Sequence, residues 1–326
     1  MFIQILILLL SLITLVWSAD KFVFGASSLA RNLGISPMII GLTIVAMGSS
    51  APEMMIAATA SLQGNPDTAI GNAIGSNITN IALVLGITAL FHPLSVSSST
   101  VKREIPLILI ITAIATYMLA NGNFSFNEGL LLIIGFVLYI ATLLVVTLKH
   151  AKQNPSDDKM ILDAEREVPD AVSTQRSVLW LVFGIILLPL SASFLVDSSI
   201  FIAKAFGISD LVIGLTVIAV GTSLPELAAS IMSIIKKEDD LALGNIIGSN
   251  IFNILAVLSL AGLISPGDID NAAAVRDGPY MLATTFLLFL LCFSRNGKFR
   301  ITRAKGVLLL AVFIGYQVLL FSQLNA

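Results

Sequence analysis

A motif that occurs twice constrains the fold of this chain more than any other feature of its sequence. Residues 41–85 and 214–258 each contain a Gly-Ser/Thr-Ser-x-Pro-Glu element followed by a Gly-Ser-Asn-Ile-x-Asn element. Shifting the chain by 173 residues aligns residues 18–86 with residues 191–259 without a gap, and about 29 of the 69 paired residues are identical. Shared hydrophobicity alone does not produce such agreement, so the chain contains an internal duplication.

The composition places both copies in a membrane. Of the 326 residues, 56% are hydrophobic and only 12% are charged, which is more apolar surface than a soluble domain of this size buries. Because a helical span needs about 20 apolar residues, the sequence predicts an all-α polytopic membrane protein with ten transmembrane helices. The predicted spans are residues 2–28, 37–62, 69–91, 105–121, 127–148, 177–203, 210–235, 241–264, 278–294 and 305–322.

Each copy of the duplication holds five of these spans. Five is an odd number, so the second copy must enter the membrane in the opposite orientation. We therefore expect two inverted-topology five-helix repeats, at residues 1–148 and 177–326, joined by a cytoplasmic linker at residues 149–176. The linker has mixed charge and is too short to form a core of its own. Inverted repeats are typical of transporters, with the binding site near the membrane midplane.

The distribution of basic residues predicts the orientation of the chain. With the N-terminus outside, about 16 of the 18 Lys and Arg residues fall on the cytoplasmic side, as the positive-inside rule requires. Both termini then lie outside. In a bacterial cell this places a multi-pass protein in the inner membrane with both termini in the periplasm.

The composition also bears on other kinds of site and partner. The net charge of −2 gives no footprint for nucleic acid, and the single cysteine, Cys292, argues against a disulfide framework or a thiolate metal cluster. We expect the lipid bilayer and transported ions as partners. No cofactor and no obligatory protein partner is expected.

Glu53 and Glu226 are the only carboxylates that fall deep within the predicted spans. A charged side chain at the bilayer centre costs at least about 2.5–3.5 kcal/mol on insertion scales. A single glutamate could be protonated and serve helix packing alone. Two glutamates at equivalent positions in the same motif favour a functional site.

The residues before each glutamate predict a break in the helix. Pro52 and Pro225 lack the N–H that a helix needs and clash with the carbonyl groups of Gly48 and Gly221. The broken backbone leaves carbonyl oxygens free, which is tolerated at membrane depth only where the backbone is buried or lines a polar cavity. Carboxylate, hydroxyl and carbonyl oxygens together are the ligands that Ca²⁺ and Na⁺ prefer.

A polar helix face follows each glutamate in the next span. Asn72, Ser76 and Asn80 are spaced by four residues and share one face, and the same residue types recur 173 residues later. These side chains are placed to complete an oxygen cage around a cation. Both helices also carry a Gly-x-x-x-Gly spacing, which begins at Gly71 and at Gly244 and favours close helix packing.

The paired segments GSSAPE…GNAIGSNITN and GTSLPE…GNIIGSNIFN resemble the two signature repeats of the calcium/cation antiporter superfamily, of the prokaryotic sodium/calcium exchanger type. The resemblance implies that Ca²⁺ and Na⁺, as the transported ions, compete for one cluster of ligands. It implies that Ca²⁺ is held by the carboxylates of Glu53 and Glu226 and the carbonyl oxygens of Ser49 and Thr222. For Na⁺ it implies the same glutamates with Ser50, Ser76, Ser223, Ser249 and the carbonyl oxygens of Ala46 and Ala219, while Asn80 and Asn253 close the middle of the cluster.

One position departs from the pattern of potassium-dependent relatives. Those relatives, and some prokaryotic exchangers, have aspartate at the position of Asn253, whereas this chain has asparagine in both copies. Two negative charges rather than three then line the centre, which favours Ca²⁺/Na⁺ exchange without K⁺. Exchange of Ca²⁺, or another divalent cation, for H⁺ at the same glutamates is the alternative.

Two other functional classes fit the sequence poorly. An ion channel needs a ring of pore-lining residues, and the sequence offers no clear one. An intramembrane hydrolase needs a nucleophile with a base or a histidine-bound metal, but His92 and His150 both fall outside the predicted spans. We therefore expect a secondary antiporter that works by alternating access, and not an enzyme.

Overall fold

A computed structural model describes residues 1–153, 172–206, 219–292 and 299–324 of the chain. These residues are mostly helical, as the apolar composition predicts. The helices are α1 (Phe2–Asn32), α2 (Pro37–Ser49), α3 (Ala51–Leu62), α4 (Pro66–Phe91), α5 (Ile105–Leu119), α6 (Phe126–Gln153), α7 (Thr174–Ala205), α8 (Ala219–Gly221), α9 (Leu224–Ile235), α10 (Asp239–Ile264), α11 (Gly278–Cys292) and α12 (Arg303–Leu324).

Seven helices in the described part of the chain are long and apolar enough to cross a membrane, and the bent pair α2–α3 supplies an eighth. The remaining two predicted spans lie at residues 105–121 and 210–235. The first contains α5, which is only 15 residues long. The second contains α9, and residues 210–218 of this span lie outside the described part. The fold is thus an all-α membrane protein, and the count of ten spans remains a prediction.

Helices α4 and α10 form the centre of the molecule. In their apolar segments 72% and 89% of the residues are buried, against 22–33% in the other helices that qualify as spans. Both helices pack against α3, and α10 also packs against α2, α6 and α9. The polar faces that follow the two glutamates in sequence therefore lie on the two most buried helices.

The predicted close packing of the Gly-x-x-x-Gly helices is confirmed for α10 but wrong for α4, where a Cβ atom on either glycine of the motif would meet no atom within 4 Å. A Cβ atom on Gly244 would lie 2.7 Å from the carbonyl oxygen of Met38, and one on Gly248 would lie 2.7 Å from the Cα atom of Leu42. Only glycine allows the backbones of α10 and α2 to approach this closely. The contact brings the polar face of α10 beside the helix that leads to Glu53.

Several irregular elements recur at the offset of the duplication. π-Helical turns occur at Asn80–Val84 and Asn253–Val257, and again at Thr100–Glu104 and Ala273–Asp277, each pair being 173 residues apart. The described residues also form four two-residue strands: β1 (Leu94–Ser95), β2 (Asn123–Phe124), β3 (Gly267–Asp268) and β4 (Arg300–Ile301). Antiparallel pairs β1–β4 and β2–β3 each join an early strand to a late one.

Helices α1 and α7 pack extensively along each other at one side of this centre. Two ion pairs connect α1 to the turn between α9 and α10: Lys236 Nζ lies 2.7 Å from Asp20 Oδ1, and Arg31 lies 3.1 Å from Glu238 Oε1. The predicted linker begins within α6, which continues to Gln153, and its end overlaps α7. Residues 154–171 of this linker lie outside the described part of the chain.

Candidate functional site

Each glutamate follows a break in the helical backbone. Between α2 and α3 the axis bends by 47° at Ser50, where φ is −87° and ψ is 13°. Ser223 has nearly the same backbone conformation before α9, with φ −90° and ψ 8°. Pro52 and Pro225 lie in the first turn after each break. The breaks expected from proline chemistry are therefore present at both copies of the motif.

Glu53 and Glu226 lie in the first turns of α3 and α9 and are completely buried. A helix N-terminus favours negative charge at this position. The hydroxyl of Ser50 donates a hydrogen bond to Glu226 Oε1 at 2.8 Å, so the first break contacts the glutamate of the second. Ser50 precedes Glu53 by three residues, so this bond links the two segments that carry the glutamates. The structure thus brings the two predicted carboxylates into one site.

Many buried polar atoms of the predicted site have no hydrogen-bond partner in the described part of the chain. They are both carboxylate oxygens of Glu53, Oε2 of Glu226, the hydroxyl of Ser223 and the amide atoms of Asn80 and Asn253. No ion pair between described residues involves either glutamate. Because unpaired buried charge is costly, this centre is suited to a positively charged ligand.

The chemistry of the centre suits an exchangeable cation. Among the described residues no cluster of three or more His, Cys, Asp or Glu side chains forms a metal site. The donors are two carboxylates and neutral hydroxyl, amide and carbonyl oxygens, which are ligands for hard cations. With only two charged ligands, a bound cation is held less firmly than in a cage of several carboxylates.

Comparison with known proteins identifies the family. A family model described as "Sodium/calcium exchanger protein" matches residues 3–145 and 176–322. The chain belongs to the sodium/calcium exchanger family. CaxA of Alkalimonas amylolytica is 55% identical over 99% of this chain and 100% of its own length. The sodium/calcium exchanger MaX1 of Methanosarcina acetivorans is 34% identical over 98% and 99% of the two chains.

Solved structures agree with this assignment. The sodium-calcium exchanger NCX_Mj, soaked with Na⁺ and Ca²⁺, superposes with a TM-score of 0.79 at 34% identity and covers 96% of each chain. The family resemblance inferred from the two motifs is therefore confirmed. The chain described here is therefore a multi-pass membrane transporter of cations and not an enzyme.

Four serines that the sequence predicts as part of the ion site lie close to the glutamate-bearing segments or to each other. Ser49 and Ser249 are fully buried, with their hydroxyl oxygens 3.4 Å apart. Ser76 is buried on α4, which packs against the helix that carries Glu53. Ser50, as described above, contacts Glu226 directly. Two serines at the first break therefore contact residues of the second copy.

The remaining predicted ligands are less clearly arranged for a cation. The carbonyl oxygen of Ala46 accepts hydrogen bonds from the backbone N–H of Ser50 at 3.0 Å and the hydroxyl of Ser49 at 3.4 Å. Thr222 lies at the second break and is partly buried. Ala219 begins α8, and the residues immediately before it lie outside the described part of the chain.

Two asparagines have roles that the sequence did not reveal. The amide nitrogen of Asn72 donates to the backbone carbonyl of Glu53 at 3.1 Å, a contact that the oxygen cage expected from the sequence does not include. Asn245 donates in the same way to the carbonyl of Glu226 at 3.3 Å. Both asparagines follow their glutamate by 19 residues. That equal spacing in the two copies is the signal that could have identified the pair.

Proposed function

We propose that this protein is a secondary antiporter that exchanges Ca²⁺ for Na⁺ at one site containing Glu53 and Glu226. The observation that carries the proposal is the pair of fully buried carboxylates, whose oxygens are largely unpaired and have no cationic partner among the described residues. A cation that enters this centre supplies the missing charge. The relatives MaX1 and NCX_Mj are named as sodium/calcium exchangers, which supports Ca²⁺ and Na⁺ as the ions.

In this proposal the two ions compete for the same oxygens. Ca²⁺ is held by both carboxylates with the carbonyl oxygens of Ser49 and Thr222, and it is released when Na⁺ ions occupy the site. The full Na⁺ set comprises Glu53, Glu226, Ser50, Ser76, Ser223, Ser249, Asn80, Asn253 and the carbonyl oxygens of Ala46 and Ala219. Two carboxylates cannot balance the charge of Ca²⁺ and of several Na⁺ ions at once, and this limit couples the two fluxes.

The transport cycle is proposed to be alternating access within two inverted five-helix repeats. Helices α1 and α7 pack together beside the central helices and not within them, which suits a pair that slides across a fixed core. The proposed location is the bacterial inner membrane, with both termini on the periplasmic side. The positive-inside distribution of Lys and Arg supports this orientation.

Exchange is further proposed to be independent of K⁺. Asn253 is fully buried and carries no charge, so the centre holds two carboxylates. An additional monovalent cation would have no additional negative charge to balance it. Asparagine at both position 80 and position 253 is the feature that supports this part of the proposal.

A vesicle assay tests the proposal directly. The purified protein is reconstituted into lipid vesicles loaded with Na⁺, and the vesicles are diluted into Na⁺-free buffer containing radiolabelled Ca²⁺. We expect Ca²⁺ uptake that depends on the Na⁺ gradient and does not change when K⁺ is replaced by choline. Vesicles carrying the Glu53→Gln, Glu226→Gln double variant report the passive leak. An absence of uptake under every imposed gradient contradicts antiport of Ca²⁺.

Exchange of Ca²⁺ for protons is a second candidate, since protons also satisfy unpaired buried carboxylates. The unpaired oxygens of Glu53 favour it as much as they favour Na⁺. The same vesicles distinguish the two counter-ions when an outward proton gradient replaces the Na⁺ gradient. Uptake driven by the proton gradient alone assigns H⁺ as the counter-ion and excludes the Na⁺-specific proposal.

A further inference from the structure

The side chain of Asn245 makes three hydrogen bonds beside the two glutamates. Its amide nitrogen donates to the backbone carbonyl of Glu226 at 3.3 Å and to the hydroxyl of Ser230 at 3.1 Å. Its amide oxygen accepts a hydrogen bond from the hydroxyl of Ser49 at 3.0 Å. The side chain is fully buried. One amide therefore holds a residue at each of the two breaks.

The contact with Ser49 is important because Ser49 and Ser50 are adjacent at the first break. Ser49 is bonded to Asn245, and Ser50 is bonded to the carboxylate of Glu226. Two consecutive residues at the first break are thus fixed by two residues of the second copy, one on α10 and one on α9. Loss of either bond removes one of these two contacts between the first break and the second copy.

Asn72, the equivalent residue in the first copy, has a smaller role in this structure. Its amide nitrogen bonds the carbonyl of Glu53, as Asn245 bonds that of Glu226. Within the described residues no hydrogen bond joins Asn72 to Thr222, the counterpart of Ser49. Asn72 is also only partly buried. The cross-link between the two breaks is therefore made from one side, by Asn245.

We propose that Asn245 is a positioning residue for ion exchange, which sets the distance between the two broken helices without binding the ion itself. The inference rests on the proposed exchange of Ca²⁺ at Glu53 and Glu226. A cation that bridges the two breaks needs oxygens from both at fixed separation, because misplaced ligands weaken coordination. Asn245 provides that separation through the bonds to Glu226 and Ser49.

The test measures the apparent KM for Ca²⁺ and the maximal rate of exchange in the reconstituted vesicles. Asn245→Ala leaves three buried groups without their partner, and we expect KM to rise by about tenfold. Ser49→Ala removes the hydroxyl that bonds Asn245, together with its longer contacts to Ala46 and Ser249. Because Asn245 keeps its bonds to Glu226 and Ser230, KM should rise by only about threefold. The double variant should resemble Asn245→Ala alone, because both substitutions remove the same bond.

Asn250→Ala is the matched control on the same helix. Asn250 is also fully buried, but its amide nitrogen bonds the carbonyl of Ile246 within its own helix. We expect this variant to lower thermal stability and to leave KM near the wild-type value. A merely structural role for Asn245 would give the same pattern in Asn245→Ala.

The outcomes are separable from those of the proposed function. Wild-type vesicles without exchange contradict the function, whereas active wild-type vesicles with an unchanged KM in Asn245→Ala and Ser49→Ala overturn the positioning role. If Asn245→Ala does not fold, Ser49→Ala decides alone, since it removes a single hydroxyl. Independent, multiplicative effects of the two substitutions also contradict the inference.

Discussion

The two glutamates are equivalent in sequence but differ in their contacts. Glu226 accepts a hydrogen bond from Ser50, whereas both carboxylate oxygens of Glu53 are unpaired in the described part of the chain. Each lies at a helix N-terminus, which supports the ionised form without supplying a full positive charge. A bound cation is therefore the strongest available compensation for both carboxylates.

Replacing either glutamate by glutamine tests this role at the residue scale. Glutamine has nearly the same volume and keeps one oxygen ligand, but it removes the negative charge on which Ca²⁺ affinity depends. We expect Glu53→Gln and Glu226→Gln each to reduce Na⁺-driven Ca²⁺ uptake by at least about 100-fold. Initial uptake rates in vesicles measure the effect.

Glu128→Gln is the control for a carboxylate outside the site. Glu128 accepts hydrogen bonds from the backbone and hydroxyl of Ser125 at the beginning of α6. This variant should keep full exchange. Substantial uptake by both site variants would remove the two carboxylates from the mechanism.

Asn253 is the residue that sets the number of charges at the centre. Its side chain is buried and both amide atoms are unpaired in the described residues. Asn253→Asp adds a third carboxylate, and we expect the variant to fold and to acquire a dependence on K⁺ or on pH. Uptake measured with and without K⁺ across several pH values tests this. An unchanged response to Na⁺, K⁺ and pH places Asn253 outside the ion cluster.

At the scale of helices, the sequence predicts features that depend on local chemistry. The breaks at Ser50 and Ser223 follow from the missing N–H of the next proline, and the burial of α4 and α10 follows from their small and apolar residues. Partners that are distant in sequence could not be predicted. Ser49 and Asn245 are 196 residues apart, and only the packing of α2 on α10 brings them together.

The π-helical turns also lay beyond prediction from this sequence. Asn80 and Asn253 each begin such a turn, and no proline or glycine marks the position. The extra residue in a π-turn depends on how neighbouring helices pack, and these turns often occur at functional sites. The four-residue spacing of Ser76 and Asn80 predicts that both lie on one helix face. It does not predict the π-turn that begins at Asn80.

Close packing of α10 on α2 is the element-scale contact that the site requires. Gly248→Ala places a Cβ atom 2.7 Å from the Cα of Leu42, so the helices must separate. We expect destabilisation by about 1–3 kcal/mol, as for other overpacked interiors, and a loss of exchange. The thermal midpoint of the purified protein and the uptake rate measure the two effects.

Gly135→Ala is the control for a helical glycine with room for a methyl group. The nearest atom to its added Cβ is Leu255 Cδ2 at 3.5 Å, an ordinary contact. Stability and exchange should therefore match the wild type. Equal behaviour of the two alanine variants would show that α10 tolerates separation from α2.

At the scale of the whole molecule, ion pairs join α1 to a turn of the second copy, and the equivalent turn of the first copy has no such charges. Asp20 pairs with Lys236 and Arg31 pairs with Glu238, so α1 is fixed to the turn between α9 and α10. The duplication places Gln63 and Asn65 at the positions equivalent to Lys236 and Glu238. The equivalent turn of the first copy therefore lacks these charges. If α1 moves across the core during transport, these pairs favour the conformation in which they are formed.

Breaking one pair tests this bias. Lys236→Gln removes the ion pair from Asp20 to the turn and leaves the pair with Lys21 on the same helix. An exposed or partly exposed ion pair contributes up to about 1 kcal/mol, or roughly fivefold in a population. The single native cysteine, Cys292, is buried, so a cysteine introduced at Phe24, whose ring lies beneath Lys236, reacts selectively with a thiol reagent. We expect Lys236→Gln to increase the labelling rate at position 24 by about two- to fivefold.

The same substitution at exposed Lys102 is the control for loss of one positive charge and should leave the rate unchanged. Equal labelling in both variants would mean that the pairs secure α1 without biasing its movement.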